Sequence, residues 1–151
     1  MLSTAGVSQR YARRVQTTEL GFAGTPLREQ LVAAVLRGDK TATAGLLVDY
    51  EREGEALPQP GRRSLLVDTD GEGVAILETT EVRVLRVGDC DEHFARDEGE
   101  GFETVAEWRA AHDRFWRGYA DEIRDHLGDP DWDVTDDTLF VAERFRLVEV
   151  L

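Results

Sequence analysis

The chain has 151 residues, 41% of them hydrophobic, and carries 31 acidic against 18 basic side chains, for a formal net charge of −13. That length suits one domain with a full core, and the composition excludes a disordered chain. No apolar run approaches the roughly 18 residues of a membrane span, and so negative a body disfavours tight, general binding to polyphosphate.

Every basic residue but one is arginine; the exception is Lys40. Arg and Lys serve a solvated surface equally, but only the Lys amine can give up its proton when desolvated. A lone retained Lys therefore marks a position that needs an amine, with a chance survivor as the alternative.

The N-terminus, MLSTAGVSQRYARR, lacks the apolar core of a signal peptide, and the single cysteine, Cys90, excludes an internal disulfide. Both features fit a cytoplasmic protein. Residues 1–19 read as a loosely ordered basic arm carrying Arg10, Arg13 and Arg14, and residues 20–151 as the folded domain. Thr25-Pro26 has the form of a helix N-cap and first position. Leu27, Leu31, Val32, Val35 and Leu36 follow at helical spacing, and Gly38 sits at the stop. Lys40 then falls at a helix-to-strand junction. Residues 41–48 read as a strand broken by Gly45, and 49–63 as a polar loop. Ser64–Asp68 and Gly73–Val87 read as strands joined by an Asp70-Gly71 turn.

Asp91–Asp97 predicts a short helix that ends in the sequence DEGEG at 97–101. Thr104 and Glu107 match a capping box. Val105, Trp108, His112, Phe115, Tyr119 and Ile123 then mark one face of a long helix over 104–126. After the acidic loop DPDWDVTDD, Leu139–Val150 reads as a terminal strand. Strands dominate and no βαβ order appears, so the expected fold is α+β, a mostly antiparallel β-barrel with flanking helices.

His93, His112 and His126 have no metal-ligand spacing, and the acidic loop lacks the glycine and terminal Glu of an EF-hand. No metal and no cofactor are expected. Cys90 has no nucleophile context and reads as a half-buried thiol. His112, one turn from both Trp108 and Trp116, reads as a core-edge histidine, with pocket lining as the functional alternative. Thr41 and Thr43 suit a strand, but a hydroxyl beside Lys40 could also be an activated nucleophile. In a regular strand residues 40 and 43 would face opposite ways, so a shared site needs a bend between them. Glu98 and Glu100 sit among glycines that permit close approach by a ligand. Trp108, Trp116, Tyr50 or Trp132 could stack on a base, with a core role as the alternative.

From GDKTATAGL at 38–46 the chain resembles the ASCH domain family, small proteins of the PUA-like fold. The resemblance extends through FAGTPLREQLVAAVLRGDKTATAGL at 22–46, ETTEV at 78–82, HFARDEGEGF at 93–102, WRAAHDRFW at 108–116 and VAERFRLV at 141–148. It implies a PUA-like barrel. It also implies one of three activities: removal of the acyl group from N4-acetylcytidine, RNA binding of the PUA type, or ribonuclease action. For the amidohydrolase it implies Thr43 as nucleophile, Lys40 as its activator and Glu98 as proton relay, with Thr41, Glu100, Trp108 and His112 around a nucleoside-like ligand. The family lysine is often followed five positions on by Arg, where this chain has Gly45. The net charge ranks a small nucleoside ligand above RNA, and no membrane partner is expected.

Overall fold

The computed structural model describes residues 16–151. The expected basic arm falls mostly on residues 1–15, outside the described residues. Its end is no loose segment: Gln16–Thr18 forms strand β1.

Thr25 Oγ1 accepts a hydrogen bond from the Arg28 N–H, Pro26 occupies the first turn, and Gly38 closes the helix at φ 85°, so α1 spans Pro26–Arg37 as its sequence dictates. β2 (Ala42–Leu46) is shorter than expected. The chain turns instead into α2 (Leu47–Glu53), where a strand end and loop were expected; this segment has no Gly or Pro and contains good helix formers. β3 (Arg63–Val67) and β4 (Gly73–Arg86) follow, then a 3₁₀ turn at Val87–Asp89. Asp91 caps α3 (Glu92–Asp97), and Thr104 caps α4 (Val105–Arg117). The expected long helix is two: it breaks at Gly118, a poor helix former, and resumes as α5 (Ala120–Leu127). At the break the Tyr119 hydroxyl donates to Asp49 on α2. β5 (Leu139–Val150) ends the fold.

The strands form one five-stranded sheet in the order β1-β3-β4-β5-β2, antiparallel except for the β1–β3 pair. The expected closed barrel is not formed. Among the described residues β1 and β2 are the two sheet edges and do not pair; β1 there comprises three residues, and side chains of both edges line a common cavity. One core cluster packs α3, α4 and α5 onto β2 and β5 through Phe94, Trp108, Trp116, Ile123 and Phe140. A second sets α1 against β3, β4 and β5 through Leu31, Val35, Leu66, Leu77 and Phe145. Side chains of this size contribute about 1.5–3 kcal/mol each on burial. Among the described residues no helix is long and apolar enough to cross a membrane.

Candidate active site

Lys40 is placed by the end of α1. After Gly38 takes the left-handed conformation, the N–H groups of Asp39 and Lys40 both donate to the Ala34 carbonyl, at 3.0 and 3.1 Å. Arg37 and Asp39 pair at the surface, while Lys40 is only 2% exposed. β2 starts two residues later, so the turn between helix and strand supplies the bend that lets Lys40 and Thr43 line one cavity.

The second part is the DEGEG loop. Thr41 N–H donates to the Asp97 carbonyl at 2.8 Å, drawing the loop onto residues 39–41. Gly99 has φ +70°, and a Cβ there would lie 2.4 Å from the Asp39 carbonyl oxygen and 2.5 Å from Lys40 Cα. Only glycine allows this contact of backbone with backbone. Gly99→Ala should therefore push the loop off Lys40 and lower stability by at least about 2 kcal/mol, through a left-handed backbone and a forced clash. Urea unfolding measures this; a stability equal to wild type would show that the close approach is not a constraint.

The buried Lys40 Nζ donates to the Glu98 carbonyl oxygen at 3.2 Å and lies 3.6 Å from Glu100 Oε2. The Glu98 carboxylate is 1% exposed. Its Oε2 accepts from Trp108 Nε1 at 2.7 Å and from His112 Nε2 at 2.9 Å. His112 Nδ1 meets the Trp108 carbonyl at 2.8 Å. Both ring nitrogens face groups that only accept, so the imidazole donates from both and is the cation.

Burial opposes charge on both members of this pair. Glu98 nonetheless stays below the ordinary carboxylate range, because His112 and then Lys40 hold the anion. His112 is likewise raised against its own burial, chiefly by the Glu98 carboxylate and its hydrogen bond. Glu100 is raised instead, by burial first, with Lys40 pulling in the opposite direction. The result is two fixed charges at Glu98 and His112, beside a Lys40–Glu100 pair whose carboxyl takes up a proton more easily than an exposed one.

Lys40, Thr43, Glu98, Glu100 and His112 all line one cavity of about 530 Å³. Thr41 does not: it is exposed, and its hydroxyl donates to the Asp97 carbonyl at 3.4 Å. Trp108 is fully buried beneath the site, stacked on His112 with centroids 4.4 Å apart, and acts there through Glu98. Of the other candidate stacking residues, Tyr50 and Trp116 line the cavity and Trp132 does not. The aromatic wall sequence reasoning missed is Phe22 with Phe115 and Tyr119, centroids 5.3 and 5.6 Å from Phe22. Phe22 is 53% exposed, in a loop without periodicity; Phe115 and Tyr119 were expected on the helix's apolar stripe but not as cavity wall. Cys90 is buried away from the cavity, its thiol pushed up to about 12 by burial.

Ligand atoms of Glu98, Glu100 and His112 lie within 4.8 Å of one another, a grouping that could hold a metal ion. A divalent ion there would have to displace the His112 proton and sit beside the Lys40 ammonium. The donor set fits proton handling better than metal binding.

The ASCH domain family model matches residues 20–149, and the chain belongs to that family. Among solved structures it is similar to protein EF3133 of Enterococcus faecalis V583, from the DUF984 family. The two share 25% identity over 99% of this chain and 91% of that one, with a TM-score of 0.76. It is also similar to an ASCH domain from Lactobacillus crispatus JV V101, at 27% identity, 95% and 87% coverage and a TM-score of 0.69. The hypothetical protein PH0355, at 14% identity, 81% and 94% coverage and a TM-score of 0.53, shares the fold. No curated protein matches the chain.

Proposed function

We propose that the cavity hydrolyses the amide bond of a small N-acylated nucleoside of the N4-acetylcytidine type. What carries the reading is the buried amine of Lys40 in a cavity shared with the Thr43 hydroxyl and two carboxylates. Its volume lies in the small-molecule range of about 300–1,000 Å³. The aromatic wall of Phe22, Phe115 and Tyr119 offers one face to a base, and the negative body favours a ligand without a phosphate chain.

In this mechanism the Lys40 ammonium first passes a proton to the Glu100 carboxylate 3.6 Å away, and the freed amine takes the Thr43 proton as Thr43 Oγ1 attacks the acyl carbonyl. The C–N bond then breaks, and the Lys40 ammonium returns the proton to the departing amine. Water, deprotonated by the same amine, cleaves the threonyl ester to give the carboxylic acid and restores Thr43. The relay role falls to Glu100, whose carboxylate faces Lys40, more than to Glu98, whose carboxylate is held by His112 and Trp108. Glu98 instead fixes the loop whose carbonyl oxygen orients the amine.

A panel of N-acylated nucleosides, followed by release of the carboxylic acid, tests the reading. Thr43→Val preserves shape and strand preference while deleting the nucleophile, and should lower turnover at least about 10³-fold without changing the melting temperature appreciably. Turnover of none of the panel by the wild-type chain, or full turnover by Thr43→Val, would rule the mechanism out.

A further inference from the structure

A second cavity, of about 460 Å³, lies between the two sheet edges. It is contiguous with the first: the two share residues 19–22 before α1 as well as Thr43, Ala44 and Gly45 of β2 and Tyr50, Glu53 and the following Glu55 at α2. Gly45 is not among the glycines with positive φ, so the backbone there would accept any residue. Glycine inside a strand costs stability unless its missing side chain is needed. Here a Cβ would lie 3.3 Å from the Tyr50 ring and would narrow the place where the cavities meet.

The second cavity is walled by groups suited to hydroxyls. The register sets Glu143 directly opposite Thr43, on the same face of the sheet. Thr79 Oγ1 donates to Glu143 Oε2 at 2.6 Å, and among the described residues nothing donates to the other carboxylate oxygen. The Tyr50 hydroxyl likewise has no hydrogen-bond partner among the described residues, and burial with the nearby Glu143 charge keeps it protonated as a donor. The Arg62 guanidinium gives one hydrogen bond, to the Leu57 carbonyl at 3.4 Å, and no ion pair among the described residues. Among the described residues, Glu19, Glu53, Glu55 and Glu143 line this cavity with two guanidiniums; that of Arg28 is already engaged by Glu19 and the carbonyls of Leu20 and Gly21, and Glu53 pairs with Arg52 outside it.

We propose that this second cavity is a sugar subsite, which takes the uncharged, hydroxylated part of a ligand whose acylated amine lies at Lys40, with Gly45 forming one side of the passage between the two parts. Glu143 accepts from sugar hydroxyls, while Tyr50 and Arg62 donate to them. The excess of carboxylates disfavours the same sugar once phosphorylated. The proposal rests on the nucleoside reading above and specifies which form of nucleoside is bound.

The test uses reaction products, so it does not depend on turnover. Calorimetric titration of the chain with cytidine, cytosine and cytidine 5′-monophosphate should show cytidine bound at least about tenfold more tightly than cytosine, the effect of one charge-assisted hydrogen bond. The monophosphate should bind more weakly than cytidine. Gly45→Val should bring cytidine down to the affinity of cytosine while leaving cytosine unchanged. Glu143→Ala should do the same, and serves where Gly45→Val fails to fold. Equal affinities for cytidine and cytosine, an advantage that survives both variants, or tighter binding of the monophosphate would overturn the subsite. A cytidine advantage in a chain that hydrolyses no acylated nucleoside would retain the subsite and remove the reaction.

Discussion

Lys40→Arg should reduce kcat/KM for an N4-acylated cytidine by about 10³-fold or more, within the range for losing a general base. The substitution keeps the positive charge beside Glu100 but removes the ability to lose a proton, since guanidinium stays charged at any usable pH. A merely electrostatic Lys40, one that neutralises Glu100 or meets a phosphate, predicts the opposite: nearly full function with Arg. Lys40→Met serves as the companion variant, because it keeps the length of the side chain and removes the amine altogether. Equal loss in both variants, in proteins whose melting curves show them folded, assigns the effect to the amine. Substantial activity in Lys40→Arg would end the general-base role.

Glu98→Ala should be the most destabilising change in the site, by about 3–5 kcal/mol, because it leaves the His112 cation buried without its partner. It also strips the Trp108 indole N–H of its acceptor in a fully buried position. Glu98→Gln keeps an acceptor and should cost less, but it changes how stability depends on pH. The lowered Glu98 carboxyl adds stability that is present above its ordinary value of 4.5 and fades as pH falls through the depressed value. The raised His112 adds stability that is complete below its ordinary value of 6.5 and fades as pH rises through the elevated value. The gap between wild type and Glu98→Gln in urea unfolding should therefore be widest from about pH 4.5 to 6.5 and narrow on both sides. A gap that does not vary from pH 3 to 9 would show that the pair is not ionised in the folded chain.

Most of the frame follows from local chemistry. Thr25-Pro26 and Gly38 set both ends of α1, and the strands at 73–86 and 139–150 lie where alternation and turn residues place them. The closed barrel failed because closure depends on whether two distant edges meet, and the three residues of β1 cannot report that from their own sequence. The break at Gly118 was hidden for a related reason. The apolar stripe runs on through Tyr119 and Ile123, while the cause of the break includes a contact from Tyr119 to Asp49, seventy residues away. At the site, the odd composition singled out Lys40, and the DEGEG loop was noticed for its glycines. What the spacing could not show is which carboxylate turns toward Lys40. Glu98 and Glu100 end close together but on different partners, Glu98 on Trp108 and His112 and Glu100 on Lys40, and only tertiary packing decides which takes which. Glu143 escaped attention because it sits in an ordinary strand pattern, and its place beside Thr43 is a matter of register.

The burial of Lys40 makes the chain its own reporter. Its only side-chain amine sits 2% exposed on the floor of a cavity, and every other basic side chain is a guanidinium. An amine-selective reagent thus meets a single side-chain target, which is shielded while the native contacts hold. The rate at which Lys40 is modified, read by mass spectrometry, measures how often that cavity opens, and a ligand seated over the amine should slow it. Chemistry that on most proteins scatters over the surface would here follow the breathing of one residue.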